Sequence, residues 1–392
     1  MDAFQKEFFS ILKSSLTDKK AVVNSKFDWE NALETAKSHG VQVLLYYGIK
    51  KSNLIVPPEI MGFLEKVVYV LVRKSATQDY EAKKIYADFN ENKIKYMPLK
   101  GDVIKKLYPN IEMRYMGDVD VFIDTEQYSM IKNIVKKNGY DEICESDHEY
   151  IWAKNECLTL EMHKRLVPSY NKDFYSYYYD GWSRAINVSG TEYVLSDEDL
   201  YIYIFTHLAK HYRDGGIGIK HFVDIYVFLN SKLNLDMDYI TNELKKMNLD
   251  IFHQNVLNTI DVWFNDKAED DMSDFISNKV FSSGAYGTKY NKLMADALKN
   301  AKKLKSTKKV RWICAINYIF PSYSNMCKRN DMLKYFPFLL PFAWVVRWIN
   351  ILLFKGRLVK RKVVEVHNTS DKNIQKYHYD LKYVGLDFNF KE

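Results

Sequence analysis

Two short stretches decide how this chain reads: Leu99-Lys100-Gly101-Asp102 and, after a spacer, Arg114-Tyr115-Met116-Gly117-Asp118-Val119-Asp120-Val121. Val119, Val121 and Ile123 alternate with Asp118, Asp120, Phe122 and Asp124, the period of a strand. Side chains on a strand alternate faces, so Asp118 and Asp120 point one way while Val119 and Val121 point into a core. Two carboxylates that close repel unless a cation lies between them. Mg²⁺ suits such a pair, because it takes one or two carboxylates and keeps its other positions for water and phosphate oxygens.

A second strand supplies a third acid. In Leu158-Thr159-Leu160-Glu161-Met162-His163, the leucines and Met162 share one face and Thr159, Glu161 and His163 the other. If this strand lies beside the aspartate strand, Glu161 reaches the same cation, and three carboxylates around one or two divalent ions form an apparatus for in-line phosphoryl transfer. Upstream, Gly101 sits at a strand-to-helix turn where a backbone can approach a phosphate and a helix N-terminus offers free N–H groups. Lys100 adds a point charge, and Arg114 is placed to do the same or to brace the turn.

Around this centre the period changes. Phe4, Phe8, Phe9, Leu12 and Leu16 recur at helical spacing, Pro57-Pro58 breaks the pattern, and a long helix is predicted from Glu59 to Asn90. A strand at 94–99, a short helix at 101–108, the aspartate strand, a helix at 127–137 and strands near 140–144, 148–154 and 157–164 follow. From Ser196 the helical period returns, with predicted helices at 220–230, 237–247 and 250–265. The expected fold class is α+β: a small mixed β-sheet flanked by helices, with α-helical parts on both sides. The expected segments are 1–90 helical, 91–195 mixed α/β core, 196–300 helical and 301–392 basic and helical.

Charge is unevenly placed. Of a net +7, residues 301–365 hold a local +13, from 15 Lys and Arg against 2 Asp and Glu. A basic segment on a mildly acidic body points to a polyanion, RNA or an anionic membrane surface, with a solvated helical surface as the alternative. Phe336–Phe354 is strongly apolar but broken by Pro337, Pro341, Arg347 and Asn350, which fits a buried or interfacial helix better than a span. Cys144, Cys157, Cys314 and Cys327 form no CxxC pair, which argues against a zinc ribbon. The first residues, Met1 to Glu7, lack the basic start and apolar run of a secretory leader. A cytoplasmic protein with reduced thiols, or one peripheral to a membrane, is the expectation.

The combination of Leu99-Lys100-Gly101, Arg114-x-Met116-Gly117-Asp118-x-Asp120 and Glu161-x-His163 resembles the uncharacterised nucleotidyltransferase family of the polymerase-β-like superfamily. The likeness extends through Thr206-His207-Leu208 and Asp224-Ile225-Tyr226. The resemblance implies Asp118, Asp120 and Glu161 as catalytic metal ligands, with Mg²⁺ or Mn²⁺ as cofactor. A nucleoside triphosphate such as ATP, contacted by Lys100, Gly101, Arg114 and Gly117, would be one substrate and an unknown hydroxyl on a protein, small molecule or RNA the other. His163, His207, His211 and Asp224 are candidates for the substrate side of the cleft; Lys220 and Arg213 could touch phosphate. His207 and His211 share a helix face, but no clear third ligand follows to make a zinc site. Where many members of the superfamily carry Gly-Ser, this chain has Gly101-Asp102, and an acid at that turn would not hold a phosphate. Asp102 therefore favours a second reading, a non-catalytic nucleotide sensor of the same fold. RNA binding through residues 301–365 is a third.

Overall fold

A computed structural model describes residues 1–155, 158–231, 233–284, 287–304, 320, 321, 323, 326, 332–354 and 371–388. The chain divides into two compact units. One comprises Met1–Tyr212, Gly216–Tyr286 and Val384–Glu392; the other comprises Arg213–Gly215 and Gly287–Tyr383.

The first unit is built on a mixed sheet of seven strands, β1 (Tyr96–Pro98), β2 (Val119–Ile123), β3 (Asp141–Glu145), β4 (Glu149–Lys154), β5 (Leu158–His163), β6 (Ala185–Ser189) and β7 (Glu192–Leu195), in the order β3-β4-β5-β2-β1-β7-β6. Helices of this unit are α1 (Ala3–Leu16), α2 (Trp29–His39), α3 (Gln42–Ser52), α4 (Pro58–Glu91), α5 (Gly101–Ile104), α6 (Tyr128–Lys137), α7 (Lys172–Tyr175), α8 (Asp197–Asp214, which ends in the second unit), α9 (Ile219–Leu229), α10 (Met237–Lys246), α11 (Asp250–Phe264) and α12 (Asp271–Phe281). The α+β class and each helix and strand expected between residues 59 and 265 are present. The β6–β7 hairpin, which extends the sheet by a parallel pairing at Tyr96 and Glu192, was not foreseen. The reason is burial: every residue of β6 is exposed or half-exposed, so no apolar alternation marks it.

One sheet face is apolar. Val119, Val121 and Ile123 of β2 and Leu158, Leu160 and Met162 of β5 pack with Ala82, Ile85 and Phe89 of α4 and Ile131, Ile134 and Val135 of α6. The alternation of β2 and β5 therefore sends the acids and His163 to the opposite face. β2 and β5 pair in parallel, with Asp120 opposite Glu161 and Phe122 opposite His163. β1 pairs antiparallel to β2, and the ladder continues with Leu99 N–H donating to the Asp120 carbonyl at 3.0 Å, which sets Lys100 next to Asp120.

In the second unit, α13 (Lys289–Leu304) packs with the helix Asp371–Tyr383, whose Tyr377 hydroxyl donates to the Arg213 carbonyl at 2.8 Å. Met326 and Leu333 bury a small core against Leu339, Leu340, Ala343 and Trp344. Among the described residues, the apolar segment forms the helix Leu340–Phe354, and no helix is long and apolar enough to cross a membrane. Of the buried and interfacial helices expected, the buried one does not describe it: Leu340, Ala343 and Trp344 face the small core, while Phe342, Val345, Val346 and Ile349 stay exposed. Most basic residues of 301–365, and Cys157, Cys314 and Cys327, lie outside the described residues.

Candidate active site

The polar face of β2 and β5 forms one wall of a cavity of about 300 Å³. Asp118, Asp120, Glu161 and His163 line it from the sheet, Lys100, Gly101, Arg114 and Gly117 from the turns before β2, and Tyr203, His207, Lys210, His211, Lys220, His221 and Asp224 from α8 and α9. Every site residue expected from the sequence thus lies on this one cavity, except Arg213, whose Nε reaches Asp214 at 3.2 Å.

Asp120 is the hub. Its Oδ1 accepts from Lys100 Nζ at 2.6 Å and from His163 Nε2 at 2.7 Å. Burial alone would raise its pKa, but the Lys100 charge and these hydrogen bonds hold it well below the usual carboxylate range. Lys100 is half-buried; desolvation would lower its pKa, but the Asp120 charge keeps it above the ordinary lysine value. Lys100 also carries a positive φ of 46° with ψ −116°, a strained backbone for a residue with a side chain. Its neighbour Gly101 lies so close to Met116 that an added Cβ would sit 2.6 Å from the Met116 sulfur.

Glu161 behaves oppositely. Burial first, then the negative charges of Asp118 and Asp120, push its pKa up to about 8. Ligand atoms of Asp120, Glu161 and His163 all lie within 4.8 Å of one another. Asp118 lines the same cavity beside this tight group and makes no ion pair among the described residues.

The turn residue Asp102 faces elsewhere. It accepts from Lys105 Nζ at 2.7 Å and Tyr86 hydroxyl at 3.4 Å, and it does not line the cavity. The turn's amides are largely taken as well: Asp102 and Val103 N–H donate to the Leu99 and Lys100 carbonyls at 3.3 and 3.1 Å. Cationic side chains, not a backbone cradle, therefore dominate here. Arg114, like Lys100, is already paired: its Nε donates to Asp224 at 2.6 Å, and Tyr108 hydroxyl donates to the same Asp224 oxygen at 2.7 Å. That buried cluster ties the loop before β2 to α9. Lys220, one turn before Asp224, is half-buried and makes no ion pair among the described residues; desolvation, then the Arg114 charge, lower its pKa to about 8.

His207, His211 and His221 gather across α8 and α9, with ring centroids 4.3 to 6.3 Å apart. Burial above all drives the pKa of His207 and His221 far down, so both are neutral imidazoles. Tyr203, Lys210, His221, His148 and Glu149 were not singled out in the sequence. Tyr203 was legible, four residues before His207 on one helix face. His148 and Glu149 owe their place to strand register, which the sequence does not display.

The profile of the uncharacterised nucleotidyltransferase family matches residues 25–265. The chain belongs to that family. All cavity-lining residues, from Lys100 to Asp224, fall inside the matched stretch, so the cavity is a feature of the nucleotidyltransferase region. Membership supports nucleotidyl transfer as the general class of activity. No curated protein matches the chain.

Proposed function

We propose that this nucleotidyltransferase moves a nucleoside monophosphate from a nucleoside triphosphate to an acceptor hydroxyl, with Asp118, Asp120 and Glu161 holding Mg²⁺ or Mn²⁺. The observation that carries the reading is the parallel register of Asp120 and Glu161 on a cavity that Asp118 and Lys100 also line. The donor set fits a hard divalent cation. It is rich in carboxylate oxygen, and the raised pKa of Glu161 comes from burial and then from the neighbouring acids, both of which a bound cation would offset. When bound, such a cation neutralises the triphosphate and lowers the pKa of the attacking hydroxyl.

The chain's own groups do the rest. Lys100 holds positive charge against Asp120 at the sheet. Lys220 presents an ammonium from α9 on the same cavity, in position to meet a phosphate. Neutral His207 and His221 offer hydrogen bonds to uncharged parts of a substrate without adding charge. The acceptor oxygen bonds to the α-phosphorus as the bond to the β-phosphate breaks, releasing pyrophosphate and a proton. Asp102, the residue that favoured a sensor, gives that reading no support, because it is paired with Lys105 away from the cavity.

The test is incubation with each α-labelled nucleoside triphosphate and Mg²⁺, following pyrophosphate release and label on protein, small-molecule and RNA acceptors. Release that disappears in Asp118→Asn is the expected result. Tight nucleotide binding with no release from any of the four nucleotides would replace transfer by sensing.

A further inference from the structure

β4 and β5 run antiparallel with Glu149 opposite His163, so both side chains stand on the cavity face. His148 precedes Glu149 at the start of β4, and its Nε2 lies 2.9 Å from Glu149 Oε2. His148 Nδ1 lies 3.3 Å from Ser146 Oγ. His163 turns its two nitrogens to different neighbours. An ionised carboxylate only accepts, so the 2.7 Å contact to Asp120 makes Nε2 the N–H. This explains why Lys100 Nζ stays 3.5 Å from that nitrogen. Nδ1 is left with the lone pair, 3.9 Å from Glu149 Oε2. It is fully buried without a hydrogen-bond partner, on a residue only 3% exposed. An orphaned buried acceptor calls for an explanation, and an unplaced ion is one.

We propose that His148 Nε2, Glu149 Oε2 and His163 Nδ1 form a cation site of their own, distinct from the carboxylate site and suited to a transition metal such as Zn²⁺. Ligand atoms of the three residues lie within 4.8 Å of one another. Zinc accepts all three donors readily, whereas magnesium takes the carboxylate and disfavours the two imidazoles. Three protein ligands on a cavity wall leave the fourth position to water or a substrate oxygen. The outer partners are in place as well. Asp120 accepts from His163 Nε2–H, the arrangement in which a metal-bound imidazole gives its other N–H to an oxygen, and Ser146 Oγ, 3.3 Å from His148 Nδ1, offers His148 the same acceptor once its Nε2 turns from Glu149 to an ion. His163 thereby links the zinc-type site to the Asp120 carboxylate. The proposal stands on donor geometry and does not depend on nucleotidyl transfer.

The full chain, stripped with a chelator and dialysed against Zn²⁺ alone, tests it by metal content and by titration. Cobalt substitution reports nitrogen ligation in the visible spectrum. The expected result is a Zn²⁺ equivalent that His148→Ala weakens about tenfold or more, with loss of the nitrogen-ligated cobalt spectrum. Asp118→Asn retains both. Glu149→Gln, nearly isosteric, serves if circular dichroism shows His148→Ala unfolded, and it is expected to lose the same equivalent. Unchanged zinc affinity and cobalt spectrum in a folded His148→Ala or Glu149→Gln, or no zinc-binding equivalent in the unaltered chain, would overturn the site. A chain that binds zinc here yet turns over no nucleotide would refute the proposed activity and not this site.

Discussion

Asp118 and Asp120 are two residues apart, yet the structure gives them different physical jobs. Asp120 neutralises a half-buried Lys100 and holds His163. Asp118 has no ion pair among the described residues and contributes charge to the cavity. The two amides should therefore separate. Asp118→Asn is expected to lower pyrophosphate release by about 10³-fold, roughly 4 kcal/mol at 1.36 kcal/mol per factor of ten. Its urea midpoint should stay near that of the unaltered chain. Asp120→Asn should lose activity and also up to about 3 kcal/mol of stability, because it leaves a half-buried ammonium without its counter-charge. Parallel activity and urea-denaturation measurements decide this, and an Asp120→Asn chain as stable as its parent would show that Lys100 is not held by Asp120. The positive φ of Lys100 belongs to the same logic: backbone strain at a site persists when the surroundings hold it, here through Asp120 and the Leu99 ladder bond.

At the scale of elements, the buried Arg114–Asp224 pair joins the loop before β2 to α9 and so aligns the two walls of the cavity. Removing one partner leaves a charge stranded; removing both with apolar groups does not. Asp224→Ala is expected to cost about 3 to 5 kcal/mol, and the double variant Arg114→Met with Asp224→Leu clearly less than Asp224→Ala alone. If the single and double variants unfold alike, the pair is not what couples these elements. Helix crossing shows the same dependence on one residue. In α3, a Cβ on Gly48 would lie 2.1 Å from the Ile11 carbonyl of α1, so Gly48→Ala must push two helices apart, at about 1 to 3 kcal/mol in chemical denaturation despite alanine's better helix propensity. A neutral or stabilising Gly48→Ala would deny that close approach. Such crossings were invisible in the sequence, where Gly48 is one apolar position among others. What the sequence did display was period: the strand alternation of 118–123 and 158–163 put the acids on one face, and both strands formed with that face polar. Strand order was not displayed. Glu161 beside Asp120 was a conditional statement until the parallel register made it a contact, and His148 with Glu149 came to the cavity only through pairing with β5. The turn at Asp102 misled for a related reason, since which way a short polar side chain faces depends on a partner, Lys105, whose lone sequence signal is a spacing of three.

For the molecule as a whole, buried histidines set an acid limit. His39 of α2 accepts from Ile219 N–H of α9 at 3.3 Å, and His253 Nε2 of α11 shares a hydrogen bond with the Tyr201 hydroxyl of α8 at 2.7 Å. Both are almost fully buried, and burial lowers each pKa to about 4. The unfolded chain takes up these protons near pH 6.5, the folded chain only near pH 4. Between those values the unfolded state binds more protons, so stability is complete above about pH 6.5 and drains as pH falls toward 4, by about 3 kcal/mol for each histidine at most. Glu161 works with the opposite sign. Its pKa, raised from 4.5 to about 8, lets the folded chain bind the extra proton, so it costs stability as pH rises through that interval. Urea titrations at several pH values on the parent, Glu161→Gln and a chain with His39→Asn and His253→Gln separate the two contributions. Glu161→Gln is expected to steepen the loss of stability on acidification, because the opposing term is gone, and the double histidine variant to flatten it. Identical slopes in all three chains would mean that neither histidine is held neutral inside the fold, and the joints of α2 with α9 and of α8 with α11 would then have to be drawn differently.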